Sequence, residues 1–203
     1  MKKTAFFIAI LMLLTLYASC NGMQSNTLAE VAEYFAPPVK LTATVKGGST
    51  TAKMNVEIFD PNSEVVMRTV FTEPETLKGL IVERKKDGKL IAGYNGIQTE
   101  LDQNALKFIA VTHDIMREVS NNLVEFGKIV DSGDERYGKA VIRVNDDEIG
   151  VYYDLETNKP LRIDSELFDM ALRIDITNIA SGSNTSTNAT VSNTQHVSET
   201  QSK

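Results

Sequence analysis

Two blocks of period-two alternation, separated by one stretch of helical period, limit the folds open to this chain more than any other feature. Val39, Leu41, Ala43 and Val45 alternate with Lys40, Thr42, Thr44 and Lys46. Successive side chains of a strand point to opposite faces, so the pattern predicts a strand with one buried face. Gly47-Gly48 turns the chain, and Ala52, Met54, Val56 and Ile58 repeat the alternation against Lys53, Asn55 and Glu57. After Asp60-Pro61-Asn62, a third strand is expected from Val65 to Thr72, closed by Pro74, and a fourth from Thr76 to Lys85. Lys86-Asp87-Gly88 then turns into Leu90 to Tyr94. Asn95-Gly96 links this strand to Ile97 to Leu101, and that dipeptide suits the positive φ angles of a two-residue hairpin. Six strands in an antiparallel meander result. Val39, Leu41, Met54, Val56, Leu80 and Val82 are core candidates, and Gly79 and Gly93 read as bends or bulges within strands.

From Asp102 the period changes. Ile109, Thr112, Met116, Val119 and Leu123 mark one helical face, widened by Leu106 and Ile115. The helix is expected to end before Gly127, with Ser120-Asn121-Asn122 as a point where it can break. Five strands follow: Lys128 to Ser132, Tyr137 to Val144, Ile149 to Leu155, Leu161 to Leu167, and Met170 to Ile179. Ahead of the sheet, Thr27 and Glu30 have capping-box spacing. Leu28, Val31, Ala32 and Phe35 follow helical spacing, and Pro37-Pro38 stops that short helix. The fold class is α+β: a strongly curved antiparallel sheet of about eleven strands, a half-barrel, wrapped over a few helices.

The two ends of the chain have other compositions. Lys2 and Lys3 precede a run from Ala5 to Ala18 that is apolar apart from Thr15 and Tyr17, and the run closes at Cys20. A basic start, an apolar stretch and small residues before a cut describe a secretory signal. Leu16-Tyr17-Ala18-Ser19-Cys20 resembles the lipobox of bacterial lipoproteins, with Tyr17 where that motif prefers Leu. The resemblance implies cleavage before Cys20 and acylation of its thiol. An ordinary signal cut nearby and an uncleaved anchor are the alternatives. Two or more acyl chains hold a protein on a membrane stably. Asn21, not Asp, follows the cysteine, which in a two-membrane cell permits export to the outer membrane. From Ser181 onward almost no apolar residue occurs, and such a segment cannot bury enough surface to offset chain entropy. The expected organisation is a signal at 1–19, a lipidated tether at 20–26, one domain at 27–180, and a disordered Ser/Thr/Asn-rich tail at 181–203.

Composition narrows the function. Without residues 1–19 the chain has 19 basic and 27 acidic residues, a net charge of −8. An acidic surface without basic clusters argues against nucleic acid and against electrostatic docking on anionic lipid. Cys20 is the only cysteine, so disulfides and cysteine-based metal sites are excluded. Trp is absent, which disfavours a carbohydrate-stacking face.

No catalytic constellation emerges. His113 and His196 are too far apart for a zinc motif. His113 and Asp114 are adjacent on a helix, so they point about 100° apart and form no dyad; His113 is expected to be a partly exposed polar residue. Asp131 to Glu135 and Asn145 to Glu148 lack the ligand spacing of a calcium loop and read as solvated hairpin tips. No phosphate loop or nucleophile elbow is present. The chain is read as non-catalytic, with no cofactor.

The lipidated Cys20, the meander through Lys86-Asp87-Gly88-Lys89-Leu90 into Tyr94-Asn95-Gly96, the helical insertion, and Asp154 to Ile163 (DLETNKPLRI) together resemble the Lol-type lipoprotein carrier and receptor superfamily. Within it, the lipobox, the size and the tail are most similar to the clostridial spore germination lipoproteins. That resemblance implies a non-catalytic, membrane-anchored partner of a secreted peptidoglycan amidase of the spore cortex. Its place would be the outer face of a bacterial membrane, or the space between the forespore membranes. The alternative is a lipid or lipoprotein carrier that uses the half-barrel cavity. Exposed edge strands would also permit strand exchange between two copies.

Overall fold

All strands of the computed structural model, which describes residues 26–102 and 107–181, join one antiparallel sheet. The first meander is β1 (Val39–Gly47), β2 (Thr50–Ile58), β3 (Val65–Glu73), β4 (Ile81–Lys85), β5 (Leu90–Tyr94) and β6 (Ile97–Leu101). The second is β7 (Lys128–Val130), β8 (Tyr137–Val144), β9 (Asp147–Asp154), β10 (Pro160–Ser165) and β11 (Leu172–Ser181). Antiparallel pairing of β1 with β11, from Val39 with Ser181 to Gly47 with Leu172, fuses the two into an eleven-stranded order. The outer strands β6 and β7 do not pair with each other, so the barrel stays open. The fold is the α+β half-barrel that the alternation implies.

The 20-residue helix α2 (Lys107–Phe126) links the two open edges and fills the concave side. Ile109, Ile115, Met116, Val119 and Leu123 are buried against Leu41, Met54, Val56, Phe71 and Val82 of the sheet in one core. Each large aliphatic side chain buried this way contributes about 1.5–3 kcal/mol relative to exposure. A short helix α1, residues 26–33, adds Leu28, Val31 and, just past its end, Phe35 to the same core. Between β8 and β9, Gly138 faces Tyr153 in register, and a Cβ at Gly138 would lie 2.2 Å from the Tyr153 ring. The glycine is what lets that buried ring lie flat on the neighbouring strand.

Several local expectations change. Residues 76–80 do not extend β4: Leu77 N donates to Pro74 O, Gly79 N to Phe71 O, and Gly79 has φ +82°. Gly79 therefore makes a tight turn and not a bend within a strand, because glycine alone takes that φ without strain. Helix α2 is unbroken at Ser120-Asn121-Asn122. The Ser120 hydroxyl donates to Phe35 O at 2.9 Å and Asn122 donates to Glu118, so neither side chain competes for the helix backbone. A 3-10 turn at Leu167–Asp169 separates β10 from β11, and β11 runs on to Ser181. Helix α1 begins one residue before Thr27. Cys20, Leu106, His196 and the tail from 182 lie outside the described residues.

Candidate functional site

Turns and helix meet at one end of the half-barrel around a pocket of about 210 Å³. Ile58 and Phe59 from the end of β2, Pro61 from the following turn, and Val66 and Met67 from β3 form its apolar wall. Arg84, Lys85 and Lys86 come from the end of β4, and Arg117, Ser120 and Asn121 from the middle of α2. Pro37, on the linker between α1 and β1, completes the rim, and the Ser120–Phe35 bond ties that linker to α2. Four cationic side chains line this space and no carboxylate does, on a chain whose formal net charge is −6.

Arg84 sits on the concave face of β4, in register with Met67 and Leu90. A guanidinium there is costly unless it is paired, because it stays ionised at any physiological pH. Its side chain is 5% exposed, and its Nη1 lies 2.8 Å from Asp114 Oδ1 on α2. Arg117 Nη2 approaches the same carboxylate oxygen at 3.2 Å and also reaches Glu118. Asp114 is thus bracketed by two arginines, while the buried Nε of Arg84 meets no hydrogen-bond partner among the described residues. Lys85 pairs with Glu83 and Glu64, and the Glu83 carboxylate raises its ammonium above the usual lysine range. Lys86 is exposed and enters no ion pair among the described residues.

One helical residue away, His113 turns into the core and not toward Asp114. It is fully buried, contrary to the partly exposed position expected, and its Nε2 lies 2.7 Å from Thr69 Oγ1 on β3. Its Nδ1 has no partner among the described residues. Burial, aided by the positive charge of Arg84, pushes the imidazole down to about 3. A neutral ring offers one donor and one acceptor nitrogen, whereas protonation would create a second N–H with nothing to accept it. His113 is a neutral structural group, not a base poised near neutrality.

The remaining candidates behave as surface. Among the described residues, no group of three His, Cys, Asp or Glu side chains is placed to hold a metal ion. Asp131 and Asp134 hold their own turn through Gly133 N and Arg136, and Arg136 brings Asp134 down to about 2. No described helix is long and apolar enough to cross a membrane. Cys20, the one site residue expected from sequence, lies outside the described residues. Arg84 and Arg117 were not singled out from sequence, although alternation from Val82 does place Arg84 on the core face.

Neither protein-family models nor curated proteins return a match to this chain. Several solved structures do. A conserved protein from Thermus thermophilus is 12% identical over 77% of this chain and 85% of its own length, with a TM-score of 0.42. The MucA/MucB complex of Pseudomonas aeruginosa gives 13% identity, 78% and 56% coverage, and 0.39. A LolA superfamily protein from Nitrosomonas europaea gives 11%, 78% and 93%, and 0.34. The chain therefore spans little more than half of the MucB structure it matches. The fold assignment rests on strand order and register, independently of these likenesses.

Proposed function

We propose that this chain is an exported, membrane-anchored and non-catalytic binding protein, tethered through acylated Cys20, that supports a secreted peptidoglycan amidase. The observation that carries the binding role is the pocket just described: a cation-lined recess whose Ser120 hydroxyl is tied to Phe35 O, with no metal-holding cluster among the described residues. The amidase as client follows from the sequence resemblance alone. The tether argument is one of reach, since the six residues from Cys20 to the start of α1 span at most about 20 Å. That length would keep the domain, and any partner it holds, close to the bilayer.

The carrier reading meets a specific obstacle. Between sheet and helix the concave side is filled by Phe35, Phe71, Ile115, Met116 and Leu123, all essentially buried. The larger recesses, about 580 and 340 Å³, are lined by charged and polar residues such as Glu57, Arg68 and Glu83 or Asp146, Asp147 and Glu148. The pocket beside the helix, about 210 Å³, is smaller than the roughly 300–1,000 Å³ usual for small-molecule sites. A space of that size suits one side chain of a partner better than a lipid.

Anchoring has a direct test in the full-length chain. With labelled palmitate, the parent is expected to incorporate label and to run at the mass of the form cut before Cys20. Cys20→Ala should lose all label and accumulate as the heavier, uncut precursor. A parent that takes up no label would defeat the lipoprotein reading and leave a secreted binder.

A further inference from the structure

The Arg84–Arg117 pocket carries features that name a ligand chemistry. Four cations converge on it, and the carboxylates that pair three of them, Asp114 and Glu118 with the arginines and Glu83 and Glu64 with Lys85, are not part of its lining. Arg84 is 4% exposed overall, so its charge is screened little by solvent, and its buried Nε–H has no acceptor among the described residues. Lys86 adds a cation with no ion pair among the described residues, at the outer rim. Opposite these charges stand Ile58, Phe59, Val66 and Met67. A recess with one cationic wall and one apolar wall is complementary to an anion carried on a small apolar body. Its volume, 210 Å³, admits about one side chain and its neighbouring backbone.

We propose that this pocket recognises a carboxylate flanked by an aliphatic side chain, presented by a partner polypeptide. The guanidinium of Arg117 and the ammonium of Lys86 meet the carboxylate, the Arg84–Asp114 pair behind them holds Arg117 in place, and the β2–β3 wall takes the aliphatic group. Such an anchor is the kind of central contact that dominates a protein interface, because charge and apolar surface are desolvated together. Two sources share this chemistry, an internal acidic side chain and a chain terminus. The inference rests on the reading of the chain as a binding protein, but not on the anchor or on the amidase.

The test uses three small probes against isotope-labelled mature protein, followed by amide chemical shifts. N-acetyl-leucine presents a terminal carboxylate, N-acetyl-glutamyl-leucinamide presents an acidic side chain, and N-acetyl-leucinamide is neutral. At least one of the two acids is expected to give saturable shifts confined to residues 58–67, 84–88 and 117–121, with Kd on the order of 1 mM. The neutral probe should bind at least about tenfold more weakly, and raised salt should weaken only the acids. Whichever acid binds better identifies the source. The double variant Arg117→Gln/Lys86→Gln leaves the Arg84–Asp114 pair in place and should abolish the difference between acid and neutral probes. Acids that bind no better than the neutral probe, shifts elsewhere on the protein, or full binding to the double variant would each overturn the proposal. Because no amidase or membrane enters this experiment, its failure would leave the anchored-partner reading to its own tests.

Discussion

Asp114→Ala is expected to remove about 3–5 kcal/mol of folding stability, the usual consequence of deleting one partner of a buried ion pair. The cause is the residue that remains. Arg84 projects into the concave side of the sheet with a 5% exposed side chain, and Asp114 at 2.8 Å is its counter-ion. Removal of the carboxylate leaves an obligate cation among Met67, Leu90 and the helix, with no route to neutralise itself. For a domain of this size, each kcal/mol shifts the melting midpoint by about 2–4 °C, so a fall of roughly 10 °C should be seen. Replacing both charges, as Arg84→Met with Asp114→Leu, should recover most of that loss, since paired apolar substitutes cost little. Thermal melts of the parent, the single variant and the double variant make the comparison. A single variant that melts within about 2 °C of the parent would show that Arg84 is not held as the structure shows.

The second large effect is an acid limb set by His113. Its imidazole titrates near 6.5 in the unfolded chain and at about 3 when folded. The unfolded state therefore takes up this proton first, and it gains on the folded state as pH falls. The stabilising contribution is complete above about pH 6.5 and is lost on acidification, at about 1.4 kcal/mol per pH unit, down to the folded value. By pH 4.5 the loss is about 2.7 kcal/mol, and because carboxylates also begin to protonate below about pH 5, the comparison with a His113 variant isolates the share of the histidine. His113→Gln cannot take up the proton and retains a polar group toward Thr69. Urea unfolding of parent and variant at pH 7, 6, 5 and 4.5 should show the parent's slope flattened in the variant. Parallel pH profiles would mean that His113 gains its proton equally in both states, and so is not buried.

How much of this was legible in the sequence differs from element to element. Alternation located β1 and β2 to within two residues, because each has one face in the core and one in water. Asn95-Gly96 has φ +50° and +81°, the mirror-image turn its residue types suit. Local pattern misjudged 76–80, where apolar content suggested strand and the hydrogen bonds of Leu77 and Gly79 made a turn. His113 illustrates a signal that was present but underweighted. It stands four residues after Ile109 and three before Met116, within the helical face already marked as buried. Its partner Thr69 is 44 residues away and no local pattern names it. Arg84 is similar: two residues after Val82 it must face the core, yet arginine is normally read as surface. The pairing of β1 with β11 and the convergence of the β2–β3 turn, the end of β4 and α2 on one pocket are long-range outcomes, visible only once the chain is folded. Cys20 lies outside the described residues, and its proposed role rests on the sequence resemblance alone.

The most direct test of the account is reconstitution with the amidase. The secreted peptidoglycan amidase, the mature chain, and an equimolar mixture of the two are each incubated with purified peptidoglycan, and released stem peptide is measured. The account predicts no release by the chain alone, more release by the mixture than by the amidase alone, and co-elution of the two proteins. Release by the chain alone would contradict its non-catalytic role, and a mixture that neither co-elutes nor exceeds the amidase alone would contradict the partnership.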